Sequence, residues 1–377
     1  MPTRSTFLPA AVPIDLQALG HNLSQLRRLL SPGCDVMPVV KANAYGHGAV
    51  EIAHALIRHS VVRLAVFSIE EGVVLRQAGI AVSIVVLGPI FEQQLEDLFA
   101  HRLTPVVSDS STLAALGRQA AQGSSPYPIH LKIETGMGRL GVTQPELETI
   151  LNKRTFPSSL YLEGLLSHFA DSDGADPEST HEQIERFERA LRVVRAEGFS
   201  VPLVHLSNSA GIVRFPSAHY SLVRPGIMLY GYHTLPPTVH CPELKPVLSL
   251  TTRIAQLRLI QAGDMVSYNR TFMAKQPTRI AVLPVGYSTG VSRQLSNRGQ
   301  VLIRGHRAAI VGIVCMDMMM VDVTDIPDAM VGDEVVLIGT QGTERITAGD
   351  VAGWIGTISY EVLCAISPKV PRLYRSL

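Results

Sequence analysis

The chain is 377 residues long, enough for two domains and too long for one ordinary sandwich. Its 33 basic and 32 acidic side chains leave a net charge of +1, which argues against a strongly basic nucleic-acid binder and against an acidic disordered tail. Hydrophobic residues make up 46% and the mean hydropathy is +0.21, yet no apolar run reaches the about 18 residues of a membrane span. The apolar excess suits a parallel sheet whose strands are buried on both faces. The opening MPTRSTFLPAAVPIDLQALGHNL lacks the apolar stretch of a secretory signal, so a cytoplasmic protein is expected. Cys34, Cys241, Cys315 and Cys364 form no CxxC pair. They are expected to be reduced, mostly buried thiols, with no disulfide framework and no metal site.

In chain order, eight short apolar runs alternate with amphipathic segments. They are DVMPVV (35–40), RLAVFS (63–68), SIVVLG (83–88), LTPVVS (103–108), IHLKI (129–133), LEGLLSHF (162–169), PLVHLS (202–207) and SLVRPGIMLYG (221–231). Helical patterns fall between or before them, among them 16–30, 68–80 and 178–198. Such an alternation over about 250 residues predicts a (β/α)8 TIM-type barrel. The rival is an open doubly wound sheet, but no GxGxxG follows the first run. HTLPPTVHCPELKP (233–246) reads as a linker. Beyond it, VLSLTTRIAQLRLI, DMVSY, TRIAVLPVGY, QVLIRG, AAIVGIVCM, MMMVDVT and EVVLIG predict a C-terminal mostly-β domain, with a helical signal only near ITAGDVAGWIG. The expected division is 1–236 and 237–377.

Catalytic groups of a barrel collect where strands end and loops begin. Lys41, one of only six lysines, directly follows VMPVV and precedes Tyr45-Gly46-His47-Gly48. An ammonium at an apolar barrel mouth loses basicity, and the neutral amine can form a Schiff base. On strand position alone, the alternative is a lysine that snorkels from the strand end. Lys132-Ile133-Glu134 ends a later run and leads through two glycines to Arg139, with Lys132 and Glu134 on one face by period 2. His168 ends the next run, Asn208 and Ser209 stand at a helix start, and Arg224-Pro225-Gly226-Ile227 lies in the last. A helix start offers N–H groups to phosphate. Each of these has a bland reading alone; their recurrence at successive strand ends points to anion handling.

VVKANAYGHG, KIETGMGRLG, LSHFADSD, HLSNSAGI, RPGIMLYG, SYNRTF, VCMDM and GTISYEVLC, in that order, resemble the pyridoxal-phosphate-dependent alanine racemases over nearly the whole chain. The resemblance implies racemisation of alanine by two bases in a homodimer with shared sites, feeding D-alanine to peptidoglycan. It implies that Lys41 carries the cofactor and acts as one base, and that Tyr268 of the partner subunit is the other. Tyr45, Ser209, Gly226, Ile227 and Tyr360 would hold the phosphate, with Asn208 beside them. Arg224 would face the pyridine nitrogen, and His168 would link it to Tyr268. Arg139 and the Met316 N–H would meet the substrate carboxylate. Lys132 would be N-carboxylated and orient Arg139.

Thr289 stands where the family commonly has an acid, Ile313 where it has an arginine, and Asn269 where glycine is common. The first two changes imply a less polar substrate channel. Three rivals remain open. A broad-specificity racemase is disfavoured by the bulk of Tyr360 and Met316. A decarboxylase of basic amino acids is disfavoured by Arg224 at the nitrogen position. A non-catalytic cofactor-binding protein would lack the β domain and Tyr268.

Overall fold

A computed structural model describes residues 8–151 and 156–375. Residues 1–7, part of the segment read for a leader, lie outside the described residues. The chain divides into two compact units. One is made of Leu19–Ala44 and Ala49–Lys245, the other of the residues up to Ala18, Tyr45–Gly48 and Pro246 onward.

The first strand, β1 (Ala10–Asp15), was not anticipated from the sequence and belongs to the second unit. The first unit holds eight parallel strands: β2 (Asp35–Val36), β3 (Arg63–Val66), β4 (Ser83–Val86), β5 (Thr104–Val107), β6 (Tyr127–Lys132), β7 (Leu160–Leu166), β8 (Leu203–His205) and β9 (Leu222–Val223). Strands β3 to β8 pair consecutively, and β2 pairs with β9. The ring closes on both sides. Val39 bridges Ala65, while the Ser221 and Arg224 amides donate to Val204 and Ser207 carbonyls at 3.2 and 2.9 Å. The expected (β/α)8 barrel is therefore the fold, one strand for each apolar run. Leu64, Ala65, Val66, Ile84, Val85 and Val86 are all fully buried, as strands covered on both faces must be.

Helices follow the strands where capping residues start them. Ser68 and Glu71 form a capping box at Ile69–Gln77, Asp109 caps Ser110–Ala120, and Asn208 caps Ser209–Arg214. The long charged pattern becomes Glu178–Ala196. Among the described residues no helix is long and apolar enough to cross a membrane.

The second unit adds β10 (Leu250–Arg253), β11 (Gln256–Ile260), β12 (Met265–Val266), β13 (Phe272–Met273), β14 (Thr278–Leu283), β15 (Gln300–Ile303), β16 (His306–Ala309), β17 (Met319–Asp322), β18 (Glu334–Gln341), β19 (Glu344–Ile346) and β20 (Arg372–Arg375). One sheet runs β16-β15-β18-β10-β1-β20, with β19 on β18, and a second runs β11-β14-β17. β1 is antiparallel to β10 and parallel to β20. The mostly-β expectation therefore stands.

Two expectations need correction. AAIVGIVCM (308–316) is not a continuous strand: β16 stops at Ala309, and Gly312 takes φ 74° with its amide on Asn297 Oδ1 at 2.6 Å. A glycine at that φ breaks the pleat. The cysteines are not mostly buried either. No disulfide joins them, three are partly exposed, and Cys364 is exposed.

Candidate active site

Lys41 leaves the barrel on a left-handed turn. Ala42, Asn43, Ala44 and Tyr45 all have φ of 52–53°, and none is glycine. This conformation costs about 1–2 kcal/mol per L-residue, so the surroundings must impose it. Glu71 accepts from the Ala42 amide at 2.6 Å with one oxygen and from the Phe67 amide at 2.7 Å with the other. The Ala44 amide donates to Val40 O at 2.9 Å, and Asn43 Oδ1 accepts from the Ala49 amide at 2.8 Å. The Lys41 ammonium lies 5.9 Å from the centroid of the Phe67 ring.

Arg224, only 3% exposed, sits after β9. NH1 donates to His205 Nδ1 at 2.9 Å and His205 O at 2.8 Å. NH2 donates to Ser167 O at 2.6 Å and Leu206 O at 3.0 Å, with His168 Nδ1 at 3.3 Å. Nε makes no hydrogen bond among the described residues. Burial pushes this guanidinium down to about 10, still charged at neutral pH. Burial, then the charges of Arg224, Lys132, Arg139 and Lys41, hold His168 well below the usual histidine range, so it is neutral. Its carbonyl accepts from the buried Gln183 amide at 3.1 Å, and the same amide reaches Thr135 Oγ1 at 3.0 Å.

Lys132 closes β6 at 8% exposure. Burial, then Arg139 and Arg224, push its ammonium down to about 8. Glu134 lies beyond the strand end, and its carboxylate turns onto the Gly138 and Arg139 amides at 3.0 and 3.3 Å. It folds the glycine loop that carries the exposed Arg139.

Ser209 Oγ accepts from the Gly226 amide at 2.9 Å and from the Met228 amide at 3.4 Å, which brings the starts of Ser209–Arg214 and Ile227–Tyr230 together. Asn208 Oδ1 caps the first of these from the Gly211 amide at 2.9 Å. In the second unit the Tyr45 and Tyr360 rings lie with centroids 5.9 Å apart.

Tyr268 is 68% exposed and Met316 54% exposed. Around Tyr268, Ser267, Asn269 and Arg270 have φ of 69°, 57° and 52°. Asparagine tolerates that region, which accounts for its use where glycine is common. The Thr289 hydroxyl closes its own turn on Gly286 O at 2.7 Å, and Ile313 is 9% exposed.

The chain matches the family models "Alanine racemase, N-terminal domain" over residues 14–234 and "Alanine racemase, C-terminal domain" over 247–374. The chain belongs to the alanine racemase family. An alanine racemase of Halothermothrix orenii is 44% identical over 98% of this chain and 97% of the relative. An alanine racemase structure of Clostridium difficile 630 superposes with a TM-score of 0.93 at 34% identity, covering 98% of this chain and 97% of that one. A structure of the Bartonella henselae alanine racemase with covalently bound pyridoxal phosphate has a TM-score of 0.89 at 31% identity, covering 98% and 100%.

Sequence reasoning did not single out Glu71, Gln183 and His205, which hydrogen-bond the groups described above, nor His130, whose Nδ1 lies 2.9 Å from His205 Nε2. The two histidines stand inside predicted barrel strands, in IHLKI and PLVHLS, and a polar ring inside an apolar run was the available signal. Glu71 was hidden by its role as a capping residue. Gln183 lies in a charged helix, where one more polar residue carries no mark.

Proposed function

We propose that this protein interconverts L- and D-alanine with pyridoxal phosphate, as a homodimer in which each site combines Lys41 with Tyr268 of the partner subunit. The barrel unit (Leu19–Ala44 and Ala49–Lys245) supplies Lys41 and Arg224, and the unit that includes Pro246 onward carries Tyr268 as the second base. The observation that carries this reading is Arg224: a buried guanidinium with four N–H bonds committed and Nε–H left for an acceptor. That fits a ring nitrogen beside a strand-end lysine.

Pyridoxal phosphate, when bound, supplies an electron sink that acidifies the substrate Cα. Lys41 would hold it covalently, and Tyr45, Ser209, Gly226, Ile227 and Tyr360, with Asn208 beside them, would hold its phosphate. Arg224 would donate to the pyridine nitrogen without surrendering its proton, which would temper the sink and disfavour decarboxylation and transamination. Arg139 and the Met316 amide orient the substrate carboxylate. Lys132, N-carboxylated, turns a cation beside Arg139 into an anion that fixes its direction. Racemisation removes a proton from one face of Cα and returns one to the other, so two bases on opposite faces are the economical solution. Lys41 serves one face and the partner subunit's Tyr268 the other, with His168 between Tyr268 and Arg224. The product suits cell-wall synthesis in the cytoplasm.

The test is complementation. Lys41→Ala and Tyr268→Ala chains are each expected to be inactive, and their mixture after verified subunit exchange to regain part of the activity. Borohydride reduction should place the cofactor on Lys41. An adduct on another lysine, or a mixture as inactive as its parents, overturns the reading. A panel with L-serine beside L-alanine reads out substrate breadth.

A further inference from the structure

Beneath Arg224 runs a buried chain of polar groups that the proposed reaction does not use. Arg224 NH1 lies 2.9 Å from His205 Nδ1, His205 Nε2 lies 2.9 Å from His130 Nδ1, and His130 Nε2 lies 3.2 Å from Glu163 Oε2. The links come from β8, β6 and β7, three adjacent strands of the barrel. Both imidazoles are fully buried, while the Glu163 carboxylate keeps 25% of its side-chain surface exposed.

Hydrogen-bond chemistry allows the chain only one direction. A guanidinium donates and never accepts; an ionised carboxylate accepts and never donates. Arg224 therefore requires an unprotonated Nδ1 on His205, which places that ring's proton on Nε2. His130 must then accept at Nδ1 and carry its proton on Nε2, where Glu163 receives it. The two ends agree, so every group in the line is satisfied by a single pair of tautomers.

We propose that Glu163 is a positioning residue for Arg224: by accepting from His130, it fixes the tautomers of His130 and His205 so that the guanidinium meets an acceptor and keeps Nε directed to its ligand. A neutral amide at 163 could donate instead. The line could then reverse, with His130 Nδ1–H donating to His205 Nε2 and His205 Nδ1–H facing an Arg224 N–H. Two donors in contact would push the guanidinium away.

The surroundings support a neutral pair of rings. Burial lowers both histidines, more strongly for His205, and Arg224 adds to it. For His130 the Glu163 bond and charge oppose the shift, and Arg63 on β3 adds to the lowering. The His130 bond holds the Glu163 carboxyl below its ordinary range, with Arg63 adding to it, so the acceptor is ionised at neutral pH. Arg63 in turn lies 3.7 Å from Asp35. The site is shaped for the ring: a Cβ on Gly164 would stand 2.5 Å from His130 Cγ and Nδ1.

The inference rests on the proposed role of Arg224 toward the cofactor, and two readouts keep them separate. Nitrogen NMR of the 15N-histidine holoenzyme, assigned by single replacements, reads the tautomers directly. Both rings are expected in the Nε2–H form and not to titrate across about pH 6–9. Glu163→Gln should introduce an Nδ1–H population on His205, weaken pyridoxal phosphate binding roughly tenfold and shift the pH profile of kcat. Glu163→Asp, which keeps an acceptor-only group, should retain the Nε2–H form. Wild-type His205 protonated on Nδ1 overturns the proposal, whatever the variants do. So does a Glu163→Gln enzyme with unchanged tautomers, or one whose tautomers change while cofactor affinity and the pH profile do not. Absence of racemase activity in the wild type would instead sink the functional reading, leaving the tautomer result standing.

Discussion

The imidazole of His130 rests on the backbone of Gly164, where an added Cβ would approach its Cγ and Nδ1 to 2.5 Å. The glycine is needed for space rather than for a special backbone angle. Gly164→Ala should therefore displace a fully buried ring and destabilise the barrel by about 1–3 kcal/mol, the usual scale of overpacking. Denaturant unfolding of wild type and variant measures it. Unchanged stability would show that the ring has room to move.

The left-handed turn after Lys41 depends on a carboxylate that accepts from two segments at once, the Ala42 and Phe67 amides. Glu71→Ala should cost about 1–3 kcal/mol of stability and slow covalent attachment of pyridoxal phosphate, read as the rise of the Schiff-base absorbance after reconstitution. Glu71→Gln keeps one acceptor oxygen and should fall between the two. Attachment at the wild-type rate in Glu71→Ala would show that the turn holds itself.

Lys132, pushed down to about 8 by burial and by Arg139 and Arg224, is charged in the unfolded chain up to about 10.4. Between these values the unfolded state binds the extra proton, so stability should rise as pH climbs through that window. The penalty for holding the cation persists below about 8. The neutral amine is also the form that attacks carbon dioxide, so carboxylation should increase toward and above that pH. A 13C signal from labelled bicarbonate, absent in Lys132→Met, reads it. A signal that falls with rising pH contradicts this account.

Asn269, at φ 57° beside Tyr268, is a position where side chains are tested by conformation. Asn269→Gly should be close to neutral in stability, whereas Asn269→Val should cost about 1–3 kcal/mol and reduce activity by loosening Tyr268. Melting temperature and kcat of the two variants decide it. Equal behaviour of valine and glycine would show that the loop adopts another conformation.

What the sequence determined by itself is the part written in repeating local pattern. Eight apolar runs map one to one onto β2 through β9 because a strand buried on both faces must be apolar throughout. Lys41, Lys132, His168 and Ser209 could be marked because each stands at the end of such a run or just after it, and Arg224 because a charge interrupts the last one beside a glycine. The tertiary structure alone decided the rest. β1 joins β10 and β20 across more than two hundred residues of sequence, a pairing no local period encodes. The left-handed turn of Ala42 to Tyr45 runs against the preference of Ala42, Ala44 and Tyr45, so Glu71 and its neighbours must impose it. His130, His205 and Glu163 look like unrelated polar residues on three strands until barrel closure stacks them beneath Arg224. A hydrogen-bond direction is a property of the whole line, and it exists only once the strands are side by side.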